Sequence, residues 1–226
     1  MTLKNPTTLD QLFEAAIPGF SPEEQRAGLV LLGELAKGEP VTAAQFAEAL
    51  GAPVGEAEAV LNASALRPFV YAGKDGRVVG FFGLSTTRTH HRLLINGRTL
   101  WAWCAEDSLF LPELPGETAH VESRDPEGGQ LVRLAISPAR CEVEDPLDVT
   151  VSMLRLDTAD FTSATRVIAT ACHYIFFFAS RASGERWVAK HPGKWLLSLD
   201  EAFALAKRQN ARLFAWGLER RRANAA

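Results

Sequence analysis

The chain is poor in the residues that usually announce a mechanism. Its 226 residues include only 3 cysteines, 2 methionines and 5 histidines. Three cysteines cannot build a disulfide framework, and a reduced cytoplasm is the expected compartment. Neither sign of charge dominates: 24 Lys and Arg stand against 27 Asp and Glu, a net charge of −3. Such a balance supplies no global field for nucleic acid or an anionic membrane. Long hydrophobic runs are missing as well. The stretch from Tyr174 to Ala179 is far too short to span a bilayer. The first residues, Met1 to Pro6, lead into mixed polar sequence and do not read as a signal peptide. There is no Cys-x2-Cys pair, no His-Glu-x-x-His, no Gly-x-Ser-x-Gly and no Walker loop.

What is present is a hydrophobic fraction of 47%, enough for one large domain or for a small and a medium one. The pattern predicts an α+β fold. Ser21-Pro-Glu-Glu24 and Thr42-Ala-Ala-Gln45 are capping boxes that open helices to Leu35 and Leu50. Gly55 to Leu66 is apolar at helical spacing, and Arg67-Pro68 stops it. Val70-Tyr71 and Val78 to Leu84 then flank a glycine turn, which completes a winged-helix-like module over residues 1–84. Residues 85–226 read as an α+β catalytic domain, a mixed, mainly antiparallel sheet with a C-terminal helix. Within it Asn96-Gly97 marks a hairpin between Arg88–Ile95 and Arg98–Trp103. Further strands are expected at Thr118–Ser123, Gln130–Ile136, Val149–Leu156 and Tyr174–Ala179, with a short helix near Phe161–Ala169. Ser183 is the expected cap of a helix to Lys190. Ser198-Leu-Asp-Glu201 opens a long helix to about Glu219, with a fraying Arg220–Arg222 tail.

The stretch Trp101-Ala-Trp-Cys-Ala-Glu-Asp107 sets a scarce thiol three residues before a carboxylate, where a strand is expected to give way to a helical turn. Positions i and i+3 then share a face, and a helix N-terminus favours thiolate. On spacing alone the commoner arrangement is an inert buried cysteine followed by a helix-start aspartate. Cys172 lies in another apolar stretch. If it converged on Cys104, two thiolates roughly 4–5 Å apart would suit one thiophilic metal. Cys141, between charged residues, has no partner motif. His90 and His91 are adjacent and on a strand would face opposite ways. His173 is a ligand or a structural partner. Gly80-Phe-Phe-Gly83 reads as a strand with glycines.

A winged helix invites a DNA-binding reading, but the charge opposes it. Residues 21–68 carry three bases (Arg26, Lys37, Arg67) and seven acids, with Glu56 and Glu58 in the first turn of the candidate recognition helix. Phosphate binding needs the opposite sign. A packing role fits better, with no nucleic acid and no membrane as partner.

Taken together, these segments resemble the alkylmercury (organomercurial) lyase family. The likeness is carried by Trp101 to Pro112 with its preceding Asn-Gly hairpin, and by Cys172-His-Tyr-Ile-Phe-Phe-Phe-Ala-Ser180. Trp187 to Gly193 and Ser198-Leu-Asp-Glu-Ala-Phe203 add to it. The resemblance implies that Cys104 and Cys172 bind the mercury of substrate and product and that Asp107 is the catalytic acid. It implies protonolysis of a carbon–mercury bond, with a hydrocarbon and Hg(II) as products. No cofactor is expected; free thiols or a mercuric reductase would take the Hg(II). Trp101, Trp103 and Phe176 to Phe178 are candidates for an apolar wall around the organic group. Two departures stand out: His173 where family members often have a second cysteine, and Glu106 where an apolar residue is usual. A metal-responsive regulator, or a lyase-fold thiol protein with another substrate, are the competing readings.

Overall fold

A computed structural model describes residues 6–63 and 65–225. The chain begins with α1 (Pro6–Ala16), α2 (Pro22–Leu35), α3 (Ala43–Leu50) and α4 (Val54–Ala63). Both expected capping boxes form: the side chains of Ser21 and Thr42 accept from the backbone N–H of Glu24 and Gln45, and the favour is returned. α1 has no capping signature of that kind and is found only in the structure. α4 ends three residues before the expected Leu66, and a 3-10 turn at Arg67–Phe69 leads into the sheet.

Next come β1 (Val70–Ala72), β2 (Val78–Phe81), β3 (Leu84–Ser85), β4 (His91–Ile95) and β5 (Arg98–Ala102). The expected single strand from Val78 to Leu84 is in fact two strands. A two-residue turn breaks it at Phe82 (φ 45°) and Gly83 (φ 88°), and Phe81 pairs with Leu84. Two successive positive φ values make a turn of the hairpin type. The Asn96-Gly97 hairpin forms as expected, with φ 49° and 74°.

A short α5 (Ala105–Phe110) follows, then β6 (Ala119–Arg124), β7 (Leu131–Ile136) and β8 (Cys141–Asp145). Together the first eight strands form one sheet in the order β1-β2-β3-β5-β4-β6-β7-β8, antiparallel throughout. The β1–β2 hairpin is therefore continuous with the sheet that carries the cysteine region. An isolated bridge from Val41 to Val78 ties the loop before α3 to the same hairpin.

The remainder is β9 (Thr150–Leu154), α6 (Ala164–Thr170), β10 (Phe177–Phe178), α7 (Arg181–Ala189), β11 (Lys194–Ser198), α8 (Leu199–Leu213) and α9 (Ala215–Ala225). Strands β10-β9-β11 make a second, three-stranded sheet. Three expectations are corrected here. The core strand at Tyr174–Ala179 shrinks to Phe177–Phe178, because Cys172–Tyr174 folds into a 3-10 turn. Ser180, not Ser183, caps α7; its hydroxyl accepts from Ser183 N–H at 3.2 Å. The long C-terminal helix breaks at Phe214, and α9 carries the helix on through Arg220–Arg222 instead of fraying.

One hydrophobic cluster runs from Leu9 in α1 to Leu218 in α9 and includes Cys104 and Cys172. Among the described residues no helix is long and apolar enough to cross a membrane.

Candidate active site

Three ties bring the two halves of the site together. β5 ends at Ala102, and Trp103 N–H donates to Gly83 O at 2.8 Å, turning the chain out of the sheet. Cys104 takes the N-cap position of α5, and its backbone N–H donates to Asp107 Oδ2 at 2.8 Å. Ala105 N–H then donates to Ile175 O at 3.1 Å, which fixes the Cys172–Tyr174 turn against the start of α5. At the far end of the helix, Asn210 from α8 donates to Phe110 O and Glu113 Oε2, both at 2.9 Å.

As a result Cys104, Asp107 and Cys172 converge. Their Sγ and carboxylate atoms all lie within 4.8 Å of one another, and Cys172 Sγ stands 3.9 Å from Asp107 Oδ2. That spacing is about twice a metal–thiolate bond of ~2.3 Å, so one ion can bridge both sulfurs. Among the described residues no other His, Cys, Asp and Glu side chains gather their ligand atoms so closely. Cys141 stays apart on β8, and the two adjacent histidines behave as alternation predicts: His90 is exposed and His91 is buried against Ser123 at 2.9 Å.

The three groups line a cavity of about 50 Å³ whose walls are almost wholly apolar. Phe13 comes from α1 and Ile17 from just after it, Phe69 from the 3-10 turn before β1, Phe82 from the β2–β3 turn, and Val167, Ala171 and Ile175 from the Cys172 side. Of the walls expected from sequence, Trp103 lines this cavity, but Trp101 does not. Alternation would put both on one face; the turn after Ala102 breaks the period, and Trp101 lies under the Arg88 guanidinium at 5.7 Å instead. Phe177 and Phe178 are fully buried core, and Phe176 faces a separate outer cavity.

Gly83 is a site residue that sequence reading passed over. A Cβ there would fall 2.5 Å from Asp107 Cγ and Oδ1, so only glycine lets the turn lie against the carboxylate. A glycine inside an apparent strand is the signal that marks such close approach.

Burial decides the protonation states. It pushes the Cys104 thiol well above its usual range, with the Cys172 thiol and the Asp107 charge adding to the shift. At Cys172 the hydrogen bond with Cys104 pulls the thiol down, but burial together with the Asp107 and Glu106 charges leaves it raised. Both sulfurs therefore rest as thiols; the six-residue α5 does not produce the thiolate expected at its N-terminus. Asp107 is raised to about 6 by burial, against hydrogen bonds from Cys104 and Cys172 that hold it down. Glu106 is raised well above its ordinary value by burial and then by the Asp107 charge. The Gln209 amide works the other way, while the carboxyl's Oε1 has no hydrogen-bond partner.

Comparison with known proteins agrees with this geometry. A family model described as alkylmercury lyase matches residues 84–210. An alkylmercury lyase of Staphylococcus epidermidis is 36% identical over 182 residues, 80% of each chain. The chain belongs to the alkylmercury lyase family. Another member, from Pseudomonas putida, is 31% identical over 86% of this chain and 88% of its own. The crystal structure of the mercury-bound form of MerB2 superposes with a TM-score of 0.73, covering 90% of this chain and 97% of that one at 20% identity, a likeness of fold. The family match starts at Leu84, one residue after the glycine that faces Asp107.

Proposed function

We infer that the chain is an organomercurial lyase that cleaves carbon–mercury bonds by protonolysis, with Cys104, Cys172 and Asp107 as its working groups. The observation that carries this reading is the convergence of two buried thiols and one carboxylate within 4.8 Å inside an apolar cavity.

The sequence of events follows from burial and charge. Cys172, at 6% exposure against 1% for Cys104, meets the organomercury compound first. Its sulfur replaces the thiolate that accompanied the mercury, and its proton leaves with that thiol. Asp107 then removes the proton of Cys104, whose sulfur becomes the second ligand. Two soft thiolates raise electron density on the mercury-bound carbon. The carboxylic acid now formed at Asp107 returns the proton to that carbon. The hydrocarbon departs, and Hg(II) stays between the two sulfurs. A group that must be base and then acid works best with a pKa close to ambient pH, and Asp107 at about 6 meets that need. The Cys104 N–H holds the carboxylate in line for both transfers. Free thiols, or a mercuric reductase, then collect the Hg(II). No step calls for a cofactor.

The helices and hairpin up to residue 84 we read as a winged-helix-like module with a structural task. The order α2, Val41 bridge, α3, α4, β1, β2 supports it. Phe13, Ile17, Phe69 and Phe82 wall the cavity, which favours completion of the site over DNA binding. The acids Glu56 and Glu58 at the start of α4 disfavour phosphate contact.

Incubation with methylmercury and excess thiol, with methane measured in the headspace, tests the reading. Methane above a protein-free control is expected; its absence refutes the lyase assignment. A fully active Cys172→Ala would remove the two-thiolate mechanism.

A further inference from the structure

Cys172 has two faces. One lines the inner apolar cavity, and the other lines an outer cavity of about 260 Å³. Trp103 is shared in the same way, so the pair forms the partition between the two spaces. The outer cavity has a different chemistry. Arg88, His90 and His173 line it, with the hydroxyls of Ser85, Thr87 and Thr89, and no carboxylate does. In a chain with more acids than bases, that is a local reversal of sign. The hydroxyls are engaged: Ser85 bonds with Thr87 at 2.8 Å, and Thr89 donates to Ala102 O. The Arg88 guanidinium is not. Arg88 rests over the Trp101 ring and makes no ion pair among the described residues. His90 and His173 pack on Phe176 with ring centroids 6.2 and 6.4 Å away, which gathers both imidazoles at one wall.

We propose that this outer cavity is the docking site of a small anionic thiol that lifts Hg(II) from the cysteine pair. The idea rests on the lyase reading for the origin of the Hg(II). Its sulfur reaches mercury from the Cys172 side while its carboxylate meets Arg88. Each incoming thiol gives its sulfur to mercury and its proton to the departing cysteine. Two such exchanges restore Cys104 and Cys172 as thiols and leave mercury as a bis-thiolate, still Hg(II). Nothing is oxidised or reduced. The inner cavity, mainly apolar and of about 50 Å³, has no room for this partner.

The test uses the full chain loaded with one equivalent of Hg(II), so that it does not depend on carbon–mercury cleavage. Mercury transfer is timed to glutathione and to 2-mercaptoethanol at equal thiolate concentration. Arg88→Glu is expected to slow transfer to glutathione on the order of fivefold, as suits loss and reversal of one exposed charge, with little change for the neutral thiol. Arg88→Lys is expected to keep most of the parent rate. Added salt should shrink the difference between the two thiols. Equal slowing of both thiols by Arg88→Glu, or of neither, overturns the proposal. Methane release is measured separately: charge-selective transfer without methane would leave the thiol site standing and remove the lyase reading.

Discussion

Gly83→Ala is the change that most directly tests how Asp107 is held. The added Cβ would sit 2.5 Å from Asp107 Cγ and Oδ1 and 2.7 Å from its Cβ, where ordinary contact begins at 3.4 Å. The turn cannot retreat easily, because Gly83 O accepts from Trp103 N–H and Phe82 is wedged against Phe20, Phe69, Phe110 and Phe214. Asp107 must therefore withdraw by about 0.9 Å, and a displacement near 1 Å from a reactive geometry can cost on the order of 100-fold in rate. The left-handed backbone adds its own penalty of about 1–2 kcal/mol for an alanine at φ +88°. Gly97→Ala separates the two effects. Gly97 has φ +74° and nothing within 4 Å of its would-be Cβ, so it should lose similar stability and keep its activity. The assays are urea unfolding for stability and a single-turnover methane measurement for rate. Binding of Hg(II) by Gly83→Ala should persist, since neither thiol meets the clash. Wild-type methane release from Gly83→Ala would refute the claim that this contact positions the carboxylate.

Other outcomes follow from the same site. Asp107→Asn should lose cleavage and retain Hg(II) binding, as judged by methane release beside equilibrium dialysis; comparable loss of both would make Asp107 a ligand first. Because the folded Asp107 ionises only near pH 6, the first-turnover rate should fall roughly tenfold per pH unit below that value, and a flat profile between pH 4 and 7 would exclude it as the base. Glu106→Leu should stabilise the fold by about 1–3 kcal/mol by removing a buried carboxyl whose Oε1 lacks a hydrogen bond. The sign with pH is fixed by the upward shift: a carboxyl raised in the folded state favours folding at low pH and loses that benefit as pH rises through its folded pKa. The gap between Glu106→Leu and the parent in chemical unfolding should therefore widen from pH 5 to pH 8; a narrowing gap would contradict it.

Local signals were legible in the chain and non-local ones were not. The capping boxes at Ser21, Thr42 and Ser198 hold because each is settled within four residues. The Asn96-Gly97 hairpin and the start of a helix after Cys104 hold for the same reason. β8 and β11 escaped notice: β8 is largely exposed and charged, and β11 is set by its pairing with β9. The cavity walls supplied by Phe13, Ile17 and Phe69 depend on how α1 and the 3-10 turn before β1 fold back, which no spacing encodes. Trp101 and Trp103 show the limit of periodicity, since a single turn after Ala102 sends them to different places. Glu106 was visible as an odd carboxylate, but only the fold shows that it is buried with its Oε1 unbonded.

The Ala105–Ile175 backbone bond has a consequence for which ions the site will keep. It ties the two cysteine-bearing segments together through main chain on both sides, which resists opening of the pair to extra donors. Around it stand phenyl rings and aliphatic side chains, and of the two carboxylates at the cavity only Asp107 stands with the sulfurs. An ion content with two thiolates finds everything it needs. Zinc in a structural site takes four protein ligands in a tetrahedron and finds three side-chain ligand atoms here, so selectivity arises from what the surroundings withhold.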